Sequence, residues 1–105
     1  MKNLEMFCTS MEPNHYEFIQ KAGYIPSALG DKDFQKGWLR DNTNINISSK
    51  NKNYAELTFH YWFWKNYLNK CESKWIGFCH YRKFWTKEFY KSSEINIEKL
   101  SSIIL

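Results

Sequence analysis

The most chemically suggestive residues of this chain are four polar side chains, His80, Tyr81, Arg82 and Lys83, that directly follow the apolar run Trp75–Cys79. Alternate side chains of a strand share a face, so His80 and Arg82 would point to the same side if the strand continues. Such a pair could clamp a diphosphate, because a guanidinium donates two parallel hydrogen bonds to phosphate oxygens. The alternative is that Arg82 simply reaches solvent at the end of a strand. The group therefore predicts an anion site, with an ordinary strand end as the competing interpretation.

A second polar group lies in the segment from Arg40 to Asn53, which is rich in Asn, Ser and Lys and has only Ile45 and Ile47 as apolar residues. Its many hydrogen-bond donors and acceptors could bind a sugar or a nucleotide base. The alternative is a hydrogen-bonded loop that caps the next helix, since asparagine favours turns over regular structure. The candidate binding residues of this segment are Asp41, Asn46, Ser48 and Asn51.

An aromatic-rich helix is predicted to start at Asn53, because Glu56 follows three residues later, at the spacing of a capping box. Glu56 is also a candidate catalytic residue, and capping of this helix is the ordinary alternative to that role. Apolar residues then recur every three or four positions, which predicts one apolar helix face. That face comprises Tyr54, Leu57, Tyr61, Trp64 and Leu68. Because other aromatic residues fill much of the remaining surface, we expect this helix to be the centre of the core.

Metal and thiol chemistry receive weaker support from the sequence. Asp31-Lys32-Asp33 matches the D-x-D pattern that holds a metal and a nucleotide-sugar diphosphate, and two carboxylates suit magnesium or manganese. A chance match in a polar loop is the favoured interpretation, and Mn or Mg stays a candidate cofactor with no assigned metal ligands. A dyad of Cys79 with His80 is rejected, because strand neighbours point to opposite faces; Cys79 is predicted to be core. The Cys and His spacings fit no zinc pattern.

Charge and cysteine usage restrict the class of protein. The net charge is +4 over 105 residues, which suits phosphorylated ligands or an anionic membrane surface without requiring either. Nucleic-acid binding is disfavoured, because the aromatic residues recur at helical core spacing. An odd count of three cysteines and the lack of a leader-like N-terminus predict a reducing compartment. We therefore expect a cytoplasmic protein, with peripheral association at the inner face of a membrane as an option.

The remaining elements alternate between strands and helices. We predict a strand at Leu4–Thr9, one or two helical turns at His15–Lys21, an extended segment at Gly23–Pro26 and a polar loop at Gly30–Gly37. Trp75–Cys79 is predicted to be a buried strand, Ile97–Leu100 a short helix, and the final SSIIL the start of another strand. This order is typical of an α/β domain. Because the sequence stops within an apolar run, we expect residues 1–105 to be one domain that is the N-terminal part of a longer one.

Four of these segments together resemble a known family, the bacterial capsular and exopolysaccharide biosynthesis proteins long filed as a domain of unknown function and regarded as glycosyltransferases. The resemblance covers about Met6 to Trp85, in order and with compatible spacing. Asn42 and Ile45 stand where the family pattern prefers aspartates, and Lys83 replaces an arginine. The matching segments are Tyr24–Gly30, RDNTNINISSKN at Arg40–Asn51, ELTFHYWFWKN at Glu56–Asn66 and WIGFCHYRKF at Trp75–Phe84.

The resemblance implies a GT-A-like, Rossmann-related nucleotide-binding half-domain, with an incomplete sheet around the aromatic-rich helix. It also implies transfer of a sugar from a nucleotide-sugar donor to a growing capsular polysaccharide, exopolysaccharide or lipopolysaccharide glycan, with a glycan or lipid-linked glycan as acceptor. The alternative is a non-catalytic nucleotide-sugar- or glycan-binding remnant. A small nucleic-acid-binding protein is a third, disfavoured possibility.

The resemblance also suggests roles for the two polar groups. His80 and Arg82 would stabilise the departing diphosphate without a metal, and Glu56 completes the predicted catalytic set. The predicted nucleotide-sugar-binding residues are Asp41, Asn46, Ser48, Asn51, Tyr81 and Lys83.

Overall fold

The protein is an α/β domain built on a parallel sheet, as the order of predicted elements indicates. The computed structural model describes residues 4–81, 85 and 95–104. Within them, one sheet has the strand order β3-β2-β1-β4, and each of its pairings is parallel. Such a sheet is consistent with a Rossmann-like half-domain. The strands are β1 (Leu4–Ser10), β2 (Ile25–Ala28), β3 (Leu39–Arg40) and β4 (Trp75–His80).

The helices of the described residues are α1 (Tyr16–Lys21), α2 (Asn51–Tyr54), α3 (Leu57–Asn66) and α4 (Ile97–Ile104), with 3-10 turns at Pro13–His15, Ser48–Lys50 and Leu68–Lys70. None of the described helices is long and apolar enough to cross a membrane. The predicted turns at His15–Lys21 are confirmed. The predicted final strand is wrong, because α4 continues to Ile104. Asn96 caps this helix through a 2.8 Å bond from Lys99 N to its Oδ1, and Leu100 is buried beneath it.

The alternation of β1 separates two apolar clusters, one on each face of the sheet. Leu4, Met6 and Cys8 pack on the side of α1 with Ile19, while Phe7 packs on the side of α3. Cys8 lies directly opposite Cys79 in the register of β1 and β4. Cys79 is half-buried and packs against the α1-side cluster, so it lies at the border of the core and not within it.

Helix α3 buries a different face from the predicted one. Its buried residues are Thr58, Phe59, Trp62 and Phe63. Leu57 and Trp64, which belong to the predicted apolar face, are 54% and 59% exposed, and Tyr54 and Leu68 are exposed as well. The helix therefore covers one face of the sheet and is not the centre of the core. Because apolar residues occur on both the buried and the exposed face of the helix, the 3–4 spacing could not identify the face that meets the sheet.

The predicted start of this helix is also wrong. Asn53 lies inside the short helix α2, and Ala55, with φ 48°, interrupts the helical path before α3 begins at Leu57. Neither α2 nor α3 has a side-chain hydrogen bond at its N-cap, and Glu56 is exposed. The capping box therefore does not form, because the backbone turns at Ala55 before Glu56 could reach Asn53.

Strand β4 is less buried than predicted. Within the described residues it pairs only with β1 and borders the sheet. Trp75 is 52% exposed, and the other residues of the strand are half-buried. A strand with one neighbouring strand has one side edge and part of one face open, which accounts for the difference.

Candidate functional site

A cleft of about 580 Å³ lies beyond the carboxyl ends of β1, β2 and β3. Met11 follows β1, Leu29 and Gly30 follow β2, and Asn42 lies just after β3. The opposite wall is the segment that leads into α2. In parallel α/β sheets this edge is where ligands bind. The full lining consists of Met11, Leu29, Gly30, Asp31, Lys32, Asn42, Asn46, Ser48, Ser49, Asn51 and Lys52.

Gly30 shapes the floor of the cleft. Its φ of +85° is a conformation that side chains rarely allow, and a Cβ built there would meet no atom within 4 Å. Glycine is therefore required here by the backbone conformation of the turn, and not by lack of space for a side chain. Both of its backbone groups are held: its N donates to Asp41 Oδ1 at 3.1 Å, and its O accepts from Arg40 Nη2 at 3.0 Å. The end of β3 thus clamps the turn that follows β2.

Asp41 is fully buried beneath this cleft, and described protein groups engage both of its carboxylate oxygens. Oδ1 accepts hydrogen bonds from Gly30 N and from Ser48 Oγ at 3.0 Å, and Oδ2 accepts one from Thr58 Oγ1 at 2.5 Å. Three donors compensate for the burial of a carboxylate. The structure therefore places Asp41 as a support for the cleft, one layer below the surface where a ligand would lie.

Of the predicted binding residues of this loop, Asn46, Ser48 and Asn51 do line the cleft. Asn51 Nδ2 donates to Ala55 O at 3.0 Å and to Thr58 Oγ1 at 3.1 Å. Asn46 Oδ1 accepts from Ser48 N at 3.1 Å. The loop is ordered by its own polar side chains, and the two interpretations of the sequence, binding surface and hydrogen-bonded loop, describe the same residues.

The rim of the cleft carries mixed charge. Lys32 forms an exposed ion pair with Glu12 at 2.6 Å, and this lysine lowers the pKa of the Glu12 carboxyl. Lys52 is an exposed second cation, and Asp31 contributes a carboxylate. Arg40 does not line the cleft; its guanidinium lies over the ring of Phe34, with 4.8 Å between Cζ and the ring centroid. The rim therefore offers Lys52 to an anionic ligand, which would also compete with Glu12 for Lys32.

His80 and Tyr81 lie at the same edge of the sheet, at the end of β4. Thr9 is the register partner of His80, and Tyr81 N donates to Thr9 O at 3.1 Å. The Tyr81 ring stacks on His15 with 4.0 Å between centroids, and His15 Nδ1 is 2.7 Å from Ser10 Oγ. Arg82 and Lys83 lie outside the described residues. Glu56 is exposed and does not line the cleft.

Four residues that organise this edge have no role predicted from the sequence, namely His15, Thr58, Trp62 and Asn66. His15 had no motif to mark it. The other three recur every fourth residue along α3, so they share one helix face, and this spacing was the available signal.

The described residues contain no group of three His, Cys, Asp or Glu side chains that could hold a metal ion. Asp31 and Asp33 are exposed, and Asp31 reaches the cleft. Magnesium often takes only one or two protein carboxylates and completes its shell with phosphates and water. Asp31 is therefore the residue of the cleft that fits such an ion.

The thiol of Cys8 has a raised pKa, because it hydrogen-bonds Cys79 and is buried.

Comparisons with known proteins identify a family but no characterised relative. No curated protein and no solved structure matches the chain. The family model described as "Domain of unknown function (DUF4422)" matches residues 10–104. This range spans the cleft, both walls that form it and the end of β4. The chain therefore belongs to the DUF4422 family.

Proposed function

We propose that this chain is the donor-binding part of a glycosyltransferase, which transfers a sugar from a nucleotide-sugar to a growing capsular polysaccharide, exopolysaccharide or lipopolysaccharide glycan. The observation that carries the proposal is the polar cleft at the carboxyl edge of a parallel sheet with strand order β3-β2-β1-β4. That order is also the first part of the classic dinucleotide-binding arrangement, in which ligands bind where the strand order reverses. The reversal here lies between β1 and β4, so the cleft borders it at Met11, which follows β1, and extends away from it beyond β2 and β3.

The chemistry of the cleft suits a nucleotide-sugar. Amide side chains from Asn42, Asn46 and Asn51 can hydrogen-bond sugar hydroxyls or a base edge. Lys32 and Lys52 supply positive charge for a diphosphate. In this proposal, Ser48 and Asn51 contact the donor, and Asp41 holds Ser48 directly and Asn51 through Thr58.

The end of β4 would supply the leaving-group chemistry. His80, together with Arg82, would stabilise the negative charge that develops on the diphosphate as the glycosidic bond to it breaks. Tyr81 and Lys83 would contact the donor. Glu56 remains the third catalytic prediction. A divalent ion, Mg or Mn, would supply the same charge stabilisation if Asp31 and the donor phosphates held it.

The acceptor in this proposal is a glycan or lipid-linked glycan, which accounts for an expected location in the cytoplasm, in peripheral contact with the inner face of the membrane. The prediction that residues 1–105 are the N-terminal part of a longer domain belongs to the same proposal. The second candidate, a remnant that binds a nucleotide-sugar or glycan without transferring sugar, shares the cleft and differs only in catalysis.

Calorimetric titration of the purified chain with uridine and guanosine diphosphates and their sugar esters tests the binding step. We expect at least one to bind, and Lys52→Gln to weaken that binding by up to about fivefold, the size of one exposed ionic contact. Lys70→Gln is the matched control, since Lys70 is exposed and lies outside the cleft. No binding of any donor, or equal effects of the two variants, would contradict the proposal. Tight binding of oligonucleotides with steep salt dependence would favour the nucleic-acid alternative.

A transfer assay on the longer protein that this proposal predicts, with the same donors, separates enzyme from remnant. We expect transfer that persists in EDTA and falls strongly in Arg82→Ala. Loss of transfer in EDTA with an active Arg82→Ala variant would overturn the metal-free mechanism. Donor binding without any transfer would favour the remnant.

A further inference from the structure

Three residues of α3 form a regular set of hydrogen bonds with three residues of the loop after β3. Thr58 Oγ1 donates to Asp41 Oδ2, and Trp62 Nε1 donates to Thr43 Oγ1 at 2.8 Å. Asn66 binds both backbone groups of Ile45: its Nδ2 donates to Ile45 O at 2.7 Å, and its Oδ1 accepts from Ile45 N at 3.3 Å. We call this set the helix–loop ladder; its pairs are Thr58–Asp41, Trp62–Thr43 and Asn66–Ile45.

The ladder is regular in sequence along both partners. Its helix members are four residues apart, which is a rise of about 6 Å along the axis, so they form one stripe of α3. Its loop members are two residues apart in a segment of turns and bends from Asp41 to Ile45. One stripe of the helix therefore holds every second residue of an irregular loop. The backbone of Asn44, with φ 51°, turns between the second and third pairs.

Side-chain hydrogen bonds, and not apolar burial, hold this loop. Residues 42–46 are exposed, and the side chain of Ile45 is 56% exposed. Beyond Ile45 the chain continues directly into the wall of the cleft, where Asn46 Nδ2 donates to Asn44 O at 3.0 Å. The last ladder pair, Asn66–Ile45, therefore lies immediately before the residues that face a ligand.

We propose that Thr58, Trp62 and Asn66 are positioning residues, which set the distance between the loop wall and the β2 floor of the cleft and so determine donor affinity. This inference rests on the proposed function for the identity of the ligand. The hydrogen bonds of the ladder do not depend on which ligand the cleft binds. Asn66 is the most informative member, because it is half-exposed and its removal leaves the aromatic core intact.

The test compares Asn66→Ala with Asn69→Ala, the same change three residues further on at an exposed site outside the ladder. Hydrogen–deuterium exchange reports on residues 42–52, calorimetry with uridine diphosphate as the probe reports on affinity, and urea unfolding reports on global stability. Two lost hydrogen bonds predict about tenfold faster exchange in residues 42–52 of Asn66→Ala. We expect a similar loss of nucleotide affinity, an unchanged urea midpoint and no effect of Asn69→Ala.

Saturating uridine diphosphate should restore slow exchange in Asn66→Ala, which a purely structural role would not produce. If exchange is unchanged in that variant, the ladder proposal is wrong, while nucleotide binding by the wild type would leave the proposed function intact. If exchange accelerates but the wild type binds no nucleotide, the ladder orders the loop, while its role in donor affinity and the proposed function are both wrong. Thr43→Val provides a second variant, which removes the Trp62 pair of the ladder together with the 3.3 Å hydrogen bond from Thr43 Oγ1 to Arg40 O.

Discussion

The two faces of α3 have similar composition and opposite environments. The inner face buries Phe59 and Phe63 against β1 and β4, while the outer face leaves Leu57 and Trp64 exposed. Phe63 packs edge-on against Phe7 and Phe78, with ring centroids 4.8 and 5.2 Å apart. On the outer face, Lys65 Nζ lies 3.8 Å above the ring of Trp64. Aromatic residues are thus found on both faces, and contact with the sheet, not hydrophobicity, distinguishes them.

The inner face also differs because it carries polar groups with assigned partners. Thr58 and Trp62 hydrogen-bond the loop that forms one wall of the cleft. The same helix face therefore stabilises the fold through its rings and orders the candidate site through its polar atoms. Among the described residues, the outer face of α3 has neither role. Substitutions on the two faces should therefore differ strongly in their effects on stability and on the order of the loop.

The largest contrast should come from truncating one ring on each face. Phe59 is fully buried and contacts the rings of Phe7, Trp62 and Phe78. Phe59→Ala should lower the free energy of unfolding by about 3–5 kcal/mol, because a buried cavity replaces the ring. Trp64→Ala should change it by less than about 1 kcal/mol. Urea unfolding followed by circular dichroism measures both, and equal losses would contradict the assignment of the faces.

A smaller contrast should come from Trp62→Phe and Trp64→Phe, which make the same chemical change on the two faces. Trp62→Phe removes the Nε1 hydrogen bond to Thr43 and part of a buried ring, for a loss of about 1–3 kcal/mol. Trp64→Phe should be nearly neutral. Urea midpoints and hydrogen exchange of residues 42–46 are the measurements, and slow exchange in Trp62→Phe would show that this pair does not order the loop.

The smallest effect should be a pH dependence from His60, which lies between the two faces and has its ring centroid 4.5 Å from that of Phe78. Burial lowers the pKa of His60, partly opposed by the charge of Glu56. Below the ordinary value of about 6.5 the unfolded chain takes up the proton first, so the free energy of unfolding falls as the pH falls. The loss is complete once the pH is below the folded pKa.

This dependence can be assigned to His60 by comparing wild type with His60→Gln in urea titrations between about pH 7.5 and pH 5. The wild type should lose more stability than the variant over this range. A greater loss in the variant, or an identical one, would show that burial does not disfavour the charged imidazole.

Part of the fold could be predicted because its signals are local. The alternation of β1 and the apolar run of β4 identify two strands, and the polar residues after β4 mark a carboxyl end of the sheet. Asn46, Ser48 and Asn51 were predicted as binding residues, and the structure brings them together in one cleft. The sequence pattern was sufficient to predict these strands and this loop because each of them is formed by residues close together in the sequence.

The sequence by itself determined an α/β domain, the positions of its main strands and the loop that carries the candidate site. Only the tertiary structure decided which face of α3 meets the sheet and what Asp41 does. The ladder joins residues 17, 19 and 21 positions apart. Such partners meet only after Ala55 turns the chain and α3 packs on the sheet. An aspartate that supports a loop cannot be distinguished in a sequence from one that binds a ligand. For Asp41 the distinction comes from the hydrogen-bond donors that the fold places around its carboxylate.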